Sequence, residues 1–243
     1  MPSQESFFEA YALPSRTGTR VRMNFVESAD GAATLDGRSG PLGGETDRAL
    51  MQVLRTMADV IVVGAGTVRA EGYGGMTVSQ EHSAWRTQHG LPAQPALAVV
   101  SRHLDLEPDA PLFTEAVGHP VVVTSGAAPV ARRRALAAVA DVIECGQETV
   151  DLPAMLAVFA ARGWTQVLCE GGPHLFGDLL DAGLVDEVCV TLAPRFVGGS
   201  AGRIARGVPE SDRRFTLAHA VTDDEGFVLL RYTSTTRAGA SVP

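Results

Sequence analysis

The sequence predicts an α/β protein whose sheet is mostly parallel, with helices on both faces and an antiparallel hairpin at the C-terminal end. Unbroken β-branched runs such as residues 60–63 recur along the chain, and such runs are typical of strands buried on both faces. Stretches that open with proline, which has no N–H to lose at a helix start, separate these runs. Near the end, two apolar runs flank the turn-forming residues 223–226, which predicts the hairpin.

The first predicted strand begins near Val21, where apolar and polar residues alternate. A glycine-rich loop over residues 38–45 follows it, and we expect Thr46 or Glu45 to cap the next helix. Strands and helices then alternate over most of the chain, as a parallel sheet requires. Further strands are predicted at residues 97–100, 121–123, 142–143, 167–169 and 188–192, helices at 129–139, 153–161 and 173–182, and the hairpin strands at 215–221 and 227–232.

The chain is expected to form a single domain over residues 20–235. A polar lead-in at residues 1–19 precedes it, and a flexible tail at 236–243 follows it. Phe7, Phe8 and Tyr11 are aromatic residues within the lead-in, so we expect them to pin it to the body of the protein.

One long polar stretch, residues 79–95, interrupts the alternation of strands and helices. A segment of this length and polarity is either a disordered insertion or a lid over a site, and its composition favours disorder. Its two histidines, His82 and His89, are expected to be solvated. The six histidines of the chain form no metal-binding pattern, so no metal is predicted.

Composition disfavours several classes of protein. A formal net charge of −8 argues against nucleic acid as a partner, because phosphate binding needs a cationic surface. The longest apolar run, residues 58–65, contains Asp59 and is too short to span a bilayer, so no membrane partner is predicted. The N-terminus lacks a secretion signal, and the three cysteines lack redox or metal spacing, which favours buried thiols in a cytoplasmic protein.

Two predicted strand-to-helix junctions carry glycines, and the first reads Gly64-Ala65-Gly66-Thr67-Val68-Arg69. We expect a helix to begin near Thr67, where free N–H groups, the Thr67 hydroxyl and the Arg69 guanidinium would suit a phosphate. The third glycine and the acidic residue of a Rossmann fingerprint are missing, and no lysine follows as in a P-loop. A phosphate site and a plain tight turn are equally supported by this junction alone.

The second junction, Glu170-Gly171-Gly172-Pro173, follows the predicted strand at residues 167–169. Two glycines before a helix suit a diphosphate that lies against bare backbone. Glu170 ends an apolar strand, so its carboxylate must be paired or its pKa must rise, unless the side chain is simply exposed. Ligands bind beyond the carboxyl ends of parallel strands, so two such junctions on one sheet reinforce each other.

A third strand end, Ser101-Arg102, supports the two glycine junctions. Its hydroxyl and guanidinium groups suit the 2′-phosphate that distinguishes NADPH from NADH. An ordinary polar strand exit is the alternative. Together, the three strand ends predict a nicotinamide-dependent reductase with a small-molecule substrate.

Beyond these strand ends, the chain carries the turn Ser28-Ala29-Asp30-Gly31 and the segments 184–187 and 193–199. In this order and spacing the segments resemble the reductase domain of the riboflavin-pathway deaminase-reductases, a group with the dihydrofolate-reductase-like fold. The resemblance covers residues 21–232. The zinc-binding signatures of the deaminase partner are absent from the sequence, so a stand-alone reductase is expected.

The resemblance implies NADPH as hydride donor and a pyrimidine ribosylamine phosphate as substrate, as for 5-amino-6-(5-phosphoribosylamino)uracil reductase. It also implies a homodimer. The positions that it assigns to the cofactor are Gly64, Gly66, Thr67, Val68, Gly171 and Gly172, with Ser101 at the adenosine end. On the substrate side it assigns Ser28 and Asp30, with Glu170 at the edge of both sites.

Two positions depart from the family pattern. Asn24 stands where family members usually have lysine, and residues 70–75 replace a segment that usually supplies an arginine. Both positions are expected to hold the ribose phosphate, and losing two cations weakens a dianion site unless other arginines compensate. The arginines that could compensate are Arg22, Arg38, Arg69, Arg195, Arg203 and Arg206.

Reduction also needs a proton, and Asp30 and Glu170 are the candidates to supply or relay it. Asp30 could instead orient substrate hydroxyls or stabilise its turn. If Asp30 acts on the proton, Asp30→Asn should lower turnover by about tenfold or more and leave NADPH affinity intact. Two other functions stay open, a dihydrofolate or pterin reductase and a non-catalytic protein that binds NADPH.

Overall fold

The computed structural model describes residues 3–13 and 15–235, and the tail predicted at 236–243 lies outside the described residues. Its strands are β1 (Arg20–Ser28), β2 (Val60–Gly64), β3 (Ala96–Val100), β4 (Val121–Thr124), β5 (Asp141–Glu144), β6 (Gln166–Cys169), β7 (Glu187–Ala193), β8 (Phe215–Thr222) and β9 (Val228–Ser234). Its α-helices are α1 (Gln4–Ala10), α2 (Glu45–Met57), α3 (Ala65–Glu71), α4 (Gln80–Gln88), α5 (Pro111–Thr114), α6 (Val130–Leu136), α7 (Leu152–Ala161) and α8 (Pro173–Asp181).

These strands form one sheet in the order β5-β4-β3-β2-β6-β1-β7-β9-β8. Every pairing from β5 to β7 is parallel, whereas β9 runs antiparallel to both β7 and β8. The pair β8 and β9 is the predicted hairpin. The predicted fold class, a mostly parallel mixed sheet with helices on both faces, is therefore confirmed.

The side chains of β2 alternate between two hydrophobic cores on opposite faces of the sheet. Ile61 and Val63 pack with α1 and α2 in one core, and Val60 and Val62 pack with α7 and α8 in the other. All four side chains are completely buried, which accounts for the unbroken apolar run. Because both faces are covered, the sheet is open to ligands at its strand ends.

The prediction of disorder for residues 79–95 is wrong. The segment contains α4, whose N-terminus is capped by the Ser79 hydroxyl. Arg86 is completely buried and donates hydrogen bonds to Thr56 O at 2.8 Å and to Pro92 O at 2.7 Å. The first of these bonds satisfies a carbonyl at the C-terminal end of α2. Arg86, whose charge suggests a solvated side chain, thus anchors the segment to the body of the protein.

His82, on α4, is buried and not solvated as predicted. Its ring packs edge-on against Phe8, with 5.9 Å between the ring centroids. Burial lowers the pKa of the imidazole, so the ring stays neutral to a lower pH than usual. The neutral ring packs against α1 as an apolar surface. His89 is exposed, and its ring stacks on Trp85 at 3.8 Å.

Two helix starts differ from the prediction. The residue before α2 is Gly44, and no side chain caps the helix, neither Glu45 nor Thr46. A Cβ atom at Gly44 would lie 2.6 Å from the Phe227 ring, so a side chain with capping ability has no room there. Helix α3 begins before the predicted Thr67, directly at the end of β2.

Packing and charge hold the N-terminal lead-in against the sheet. Phe7 and Tyr11 are buried in the core as predicted. Glu187 on β7 is completely buried and pairs with Arg22 at 2.6 Å and with Arg231 at 3.0 Å. Arg22 also donates to the Tyr11 carbonyl at 3.0 Å, so the ion pairs connect α1 to the centre of the sheet.

In the described ranges, no helix has the length and apolar character needed to cross a membrane. Within the same ranges, no three His, Cys, Asp or Glu side chains gather as a metal site would require. Cys145, Cys169 and Cys189 are buried free thiols. Burial raises the pKa of Cys169 and of Cys189 to about 12, which keeps both thiols unreactive.

Candidate active site

A cleft with a volume of about 660 Å³ opens at the carboxyl ends of β1, β2 and β6, beside α2. The pairing of β2 with β6 places Gly64 and Glu170 in the same wall. Asn24 and Phe25, late in β1, extend this wall. Parallel sheets bind ligands at this position, so the cleft is the candidate active site.

One side of the cleft, here called the glycine side, consists of Gly64, Gly66, Thr67 and Gly172. The Gly64 N–H donates to the Gly171 carbonyl at 2.8 Å, so the two predicted junctions touch each other. The Gly171–Gly172 peptide bond is cis. A Cβ atom at Gly172 would overlap the Thr67 hydroxyl, and one at Gly64 would lie 3.3 Å from the Gly172 nitrogen. The two junctions can therefore meet only because these residues lack side chains.

Gly66 has a different surrounding, since no atom lies within 4 Å of the place where its Cβ would stand. It lies in the first turn of α3 and faces the open volume of the cleft. Gly64 precedes α3 and Gly172 precedes α8, so two helix starts with free N–H groups border this volume. Bare backbone at two helix starts fits the diphosphate of a dinucleotide such as NADPH.

A second side of the cleft, here called the helix side, consists of Asn24, Asp47, Arg55, Tyr73 and Glu170. Arg55 Nε donates to Glu170 Oε1 and Arg55 Nη2 donates to Glu170 Oε2, both at 2.6 Å. Only 9% of the Arg55 side chain and 3% of the Glu170 side chain are exposed. The carboxylate at the end of β6 is therefore paired, which is the first of the alternatives expected from the sequence.

Tyr73 completes this buried group, with its hydroxyl 3.5 Å from Glu170 Oε2. Burial, and next the charge of Glu170, raise the pKa of the Tyr73 phenol above its usual range, so it remains a hydrogen-bond donor. Tyr73 lies within residues 70–75, which the family pattern places at the ribose phosphate, but no sequence signal marked Arg55. Its partner is 115 residues away along the chain.

Asp47 lies in the first turn of α2 and lines the cleft with 9% of its surface exposed. Burial raises the pKa of its carboxyl group, Thr191 and Arg48 oppose the rise, and the charge of Glu170 adds to it. A Cβ atom at Gly43 would lie 2.7 Å from Asp47 Oδ2, so the preceding loop closes tightly over the carboxyl. No sequence signal marks Asp47 as a site residue, because acidic residues are common in the first turn of a helix.

Asp30 and Ser28 lie outside the wall of the cleft that the described residues form. The Ser28 hydroxyl donates to the exposed Asp30 carboxylate, which also accepts from Val197 N at 3.1 Å and from Gly198 N at 2.8 Å. These hydrogen bonds, that of Ser28 first, lower the pKa of Asp30 to about 2. The carboxylate joins the end of β1 to the loop after β7.

The residues assigned to the adenosine end lie near the cleft and not in its wall. Ser101 is buried just after β3, the strand next to β2, and Arg102 is exposed. Arg69 donates to the Asp105 carbonyl at 2.8 Å, and Val68 belongs to the core. Of the predicted residues, the wall formed by the described chain includes Asn24, Gly64, Gly66, Thr67, Glu170 and Gly172, whereas Ser28, Asp30, Val68, Arg69, Ser101, Arg102 and Gly171 stand outside it.

Two arginines besides Arg55 line the cleft, Arg48 and Arg206. Among the arginines considered as substitutes for the missing family cations, Arg206 is the one that reaches the wall formed by residues 3–13 and 15–235. Its segment packs closely on α8, since a Cβ atom at Gly177 would overlap the Arg206 carbonyl oxygen. Arg22 is buried in its ion pair and does not face the cleft.

The sheet order, the hairpin and the cleft at the carboxyl ends of the strands define the class of protein, an α/β protein with the dihydrofolate-reductase-like fold. The family model of the RibD C-terminal domain matches residues 19–229, and the chain belongs to this family. The resemblance seen in the sequence motifs is therefore confirmed.

Two relatives illustrate the range of the family. The chain is 30% identical over 180 residues to the 2,5-diamino-6-ribosylamino-4(3H)-pyrimidinone 5′-phosphate reductase of Archaeoglobus fulgidus, a match that covers 74% of this chain and 82% of the relative. It is 26% identical over 236 residues to the riboflavin biosynthesis protein RibD of Bacillus amyloliquefaciens, which covers 93% of this chain and 57% of RibD. The chain thus spans most of the archaeal relative and little more than half of RibD.

Solved structures give the same picture. A pyrimidine reductase-like protein of Corynebacterium diphtheriae is 29% identical, with a TM-score of 0.83 over 94% of this chain and 98% of that one. A deaminase and 5-amino-6-(5-phosphoribosylamino)uracil reductase of Thermotoga maritima is 18% identical, with a TM-score of 0.69 over 94% of this chain and 59% of that one. At its lower identity, the second match supports the fold alone.

Proposed function

We propose that this protein is an NADPH-dependent reductase that acts on a pyrimidine ribosylamine phosphate, as 5-amino-6-(5-phosphoribosylamino)uracil reductase does. The observation that carries the proposal is the cleft, in which two glycine junctions meet beside the buried Arg55–Glu170 pair in a chain of the RibD C-terminal family. The name of the archaeal relative supports the substrate class.

The glycine side would hold the cofactor. Its three glycines leave backbone bare for the diphosphate, and the Thr67 hydroxyl can donate to a phosphate oxygen. When bound, NADPH supplies the hydride for the reduction. Because β3 lies next to β2 in the sheet, we assign Ser101 to the adenosine end and Arg102 to its 2′-phosphate.

Three further residues of the predicted cofactor site would act by supporting it. The Gly171 carbonyl accepts the hydrogen bond of the Gly64 N–H at 2.8 Å, which joins the two junctions. Val68 fixes α3 on the core. Arg69 connects α3 to the segment after β3 through the Asp105 carbonyl, at 2.8 Å.

We assign the substrate to the helix side, where Asn24 lines the cleft. Arg48 or Arg206 would hold its phosphate in place of the missing family cations. A carboxylate with a pKa of about 2 is ionised at neutral pH, so Asp30 has no proton to give. We therefore assign Asp30 and Ser28 to stabilising the contact between the end of β1 and the loop after β7. Glu170 is held by Arg55 and would act on the substrate by way of Tyr73.

Thermal unfolding with NADPH and with NADH tests the cofactor. A ligand at one hundred times its Kd stabilises the folded state by about 2.7 kcal/mol. We expect a rise in Tm with NADPH and a smaller rise with NADH, because NADH lacks the 2′-phosphate. No rise with either would exclude the proposed cofactor site, and equal rises would exclude the role of Ser101 and Arg102.

The substrate is tested by the absorbance of NADPH during turnover. We expect oxidation of NADPH with 2,5-diamino-6-ribosylamino-4(3H)-pyrimidinone 5′-phosphate or with 5-amino-6-(5-phosphoribosylamino)uracil. The unphosphorylated nucleosides should be poorer substrates, since a phosphate that pairs with arginine adds binding energy. NADPH binding without oxidation of any pyrimidine or pterin would instead identify a non-catalytic NADPH-binding protein.

A second candidate, a dihydrofolate or pterin reductase, is favoured by one observation. Asn24 and Glu71 line the cleft, so a neutral and an acidic side chain stand where the family pattern places cations for phosphate. A substrate without phosphate would not need those cations. A dihydrofolate assay with NADPH decides between the candidates, and turnover above that with the pyrimidine phosphates would favour the pterin.

Three further parts of the proposal concern the whole molecule. We propose a single domain over residues 20–235 that functions as a homodimer in the cytoplasm. The exposed apolar residues Leu217, on the edge strand β8, and Phe196 support pairing. The free thiols of the three cysteines agree with a reducing compartment. Light scattering at several protein concentrations tests the dimer.

A further inference from the structure

None of the carboxyl groups assigned so far is placed to give up a proton to the substrate. Asp30 lies outside the wall and is ionised, and Glu170 is held in its ion pair. Glu71 lines the cleft as an acceptor for the Ser39 N–H at 2.7 Å. Among the carboxyl groups that line the cleft in the described chain, Asp47 is left without such an assignment.

The proposed reaction requires one proton. In the open-chain form of the ribosylamine, the carbon of the C=N bond takes a hydride from NADPH, and the π electrons of that bond pass to nitrogen, which binds a proton. The imine is thereby reduced to a secondary amine, and NADPH is oxidised to NADP⁺. We propose that Asp47 is the acid that delivers this proton and then regains one from water. The inference rests on the proposed function.

The placement of Asp47 on α2 supports this role. Residues 47, 51 and 55 follow each other at a spacing of four, so Asp47 and Arg55 lie on one face of the helix. Arg55 fixes Glu170 at the end of β6, and both lie in the wall of the same cleft as Asp47. The Asp47 carboxyl is therefore built into the helix side, beside the strand ends where the substrate is assigned.

The surroundings of Asp47 keep its carboxyl protonated to a higher pH than usual. Nine tenths of the residue is buried, and the described chain contains no salt bridge to it. The groups that act on it are Thr191 from β7, Arg48 from its own helix and Glu170 from the end of β6. Burial is the largest effect and raises its pKa, and the Glu170 charge acts in the same direction.

A different role for Asp47 must be separable by experiment. An acidic residue in the first turn of a helix also stabilises that helix through the dipole, without any part in the reaction. A purely structural Asp47 would affect the stability of the protein and leave the pH dependence of turnover unchanged. The pH profile is therefore the decisive measurement.

The experiment compares the wild type with Asp47→Asn and Asp47→Glu in the NADPH-bound enzyme, with the diaminopyrimidinone ribosylamine phosphate as substrate. Glu45→Gln is the matched control, since it removes the other acid in the first turn of the same helix, at an exposed position outside the wall of the cleft. We expect kcat of Asp47→Asn to fall about 100-fold or more, with the Kd for NADPH unchanged. Wild-type kcat should decline as the pH rises through the pKa of Asp47. Asp47→Asn should lack this decline, and Asp47→Glu should keep it at a shifted pH.

A second readout does not depend on turnover. Infrared difference spectra between low and high pH should contain the C=O band of a protonated carboxylic acid that is present in the wild type and in Glu45→Gln. The band should be absent from Asp47→Asn. If Asp47→Asn unfolds, the shifted pH profile and the shifted band of Asp47→Glu carry the test.

The outcomes separate the inference from the proposed function. If the wild type is active, two results overturn the role of Asp47 and leave the proposed function standing. In the first, Asp47→Asn has the same pH profile as the wild type. In the second, Asp47→Asn differs from the wild type only by a higher KM. A pH decline that disappears equally in Glu45→Gln also overturns it. A wild type that binds NADPH but reduces neither pyrimidine phosphate removes the proposed function, and the inference with it.

Discussion

The glycine side and the helix side of the cleft are built in opposite ways. The glycine side can form only because its glycines lack side chains, since a Cβ at Gly172 would overlap the Thr67 hydroxyl. The helix side depends on side chains that are present, buried and charged, with Arg55 and Glu170 in two hydrogen bonds of 2.6 Å. One side offers backbone donors to an anion, and the other offers acceptors and an acid. The first should therefore fail when atoms are added, and the second when they are removed.

The largest expected effect is on the helix side, from Arg55→Met. This change leaves the Glu170 carboxylate buried without its partner, which typically destabilises a protein by about 3–5 kcal/mol. Urea unfolding measures the free energy, and we expect turnover to be lost as well.

The double variant Arg55→Met with Glu170→Leu is the control for this effect. Replacing both members of a buried ion pair by apolar side chains is often close to neutral for stability. The double variant should thus regain most of the lost stability while turnover stays absent. If it is as unstable as Arg55→Met alone, the charge of Glu170 is not the cause.

The second effect is on the glycine side, from Gly172→Ala. The added Cβ forces the Thr67 hydroxyl away from its place, so we expect NADPH affinity to fall about 100-fold, or ~2.7 kcal/mol. Isothermal titration with NADPH measures the change. Thr67→Ala removes the overlapping hydroxyl, so adding Gly172→Ala to it should cost little further affinity. A full additional loss in the double variant would show that the overlap with Thr67 is not responsible.

The third effect concerns Asp30, which lies outside both sides of the cleft. Asp30→Asn weakens the acceptor for the Val197 and Gly198 N–H groups, so the contact between the end of β1 and the loop after β7 should loosen. We expect turnover to fall about tenfold, with NADPH affinity unchanged. Asp109→Asn, at an exposed position, is the matched control. Unchanged turnover in Asp30→Asn would show that this loop has no part in the reaction.

The lowered pKa of Asp30 also predicts that the stability of the protein depends on pH. Its folded pKa, about 2, lies below the usual value, so its contribution is present above the unfolded pKa and is lost as the pH falls toward 2. Asp30→Asn should remove this part of the acid destabilisation. Urea unfolding of the wild type and the variant at several acidic pH values measures the difference, and parallel curves would contradict it.

The glycine side could be predicted from the sequence because its signals are local. Each junction is a buried strand followed by glycines and a helix start, all within a few adjacent residues. Gly64, Gly66, Thr67 and Gly172 accordingly line the cleft. The alternation of strands and helices is also a local signal, and it was sufficient to predict the fold class. It was not sufficient to predict that β6 lies between β1 and β2 in the sheet.

On the helix side, Asn24 and Glu170 were among the predicted residues, but their partners could not be predicted because the contacts join distant parts of the chain. Arg55 and Glu170 are separated by 115 residues, and no spacing rule connects them. Asp47 resembles an ordinary acid of a first helical turn. Arg86 illustrates the same limit of sequence-based prediction in another part of the molecule. Its burial depends on contacts with carbonyl groups of α2, and the polar composition of residues 79–95 does not reveal those contacts.

The smallest expected effect comes from Gly66→Ala, and it tests the glycine side most directly. No protein atom lies within 4 Å of the new Cβ, so the change should not strain the fold. Alanine favours a helix over glycine by about 0.8–1.0 kcal/mol, and Gly66 lies within α3, so the protein without ligand should become slightly more stable. Gly66 lines the volume assigned to the cofactor, so a side chain at this position should narrow it, and we expect NADPH to bind about fivefold more weakly, or ~1 kcal/mol. Without NADPH, the Tm of this variant should therefore exceed that of the wild type, and with saturating NADPH the two should unfold at nearly the same temperature because the gain and the loss almost cancel. If NADPH still stabilises Gly66→Ala as much as the wild type, the open space at Gly66 does not hold the cofactor, and the bare backbone of this side serves only the contact between the two junctions.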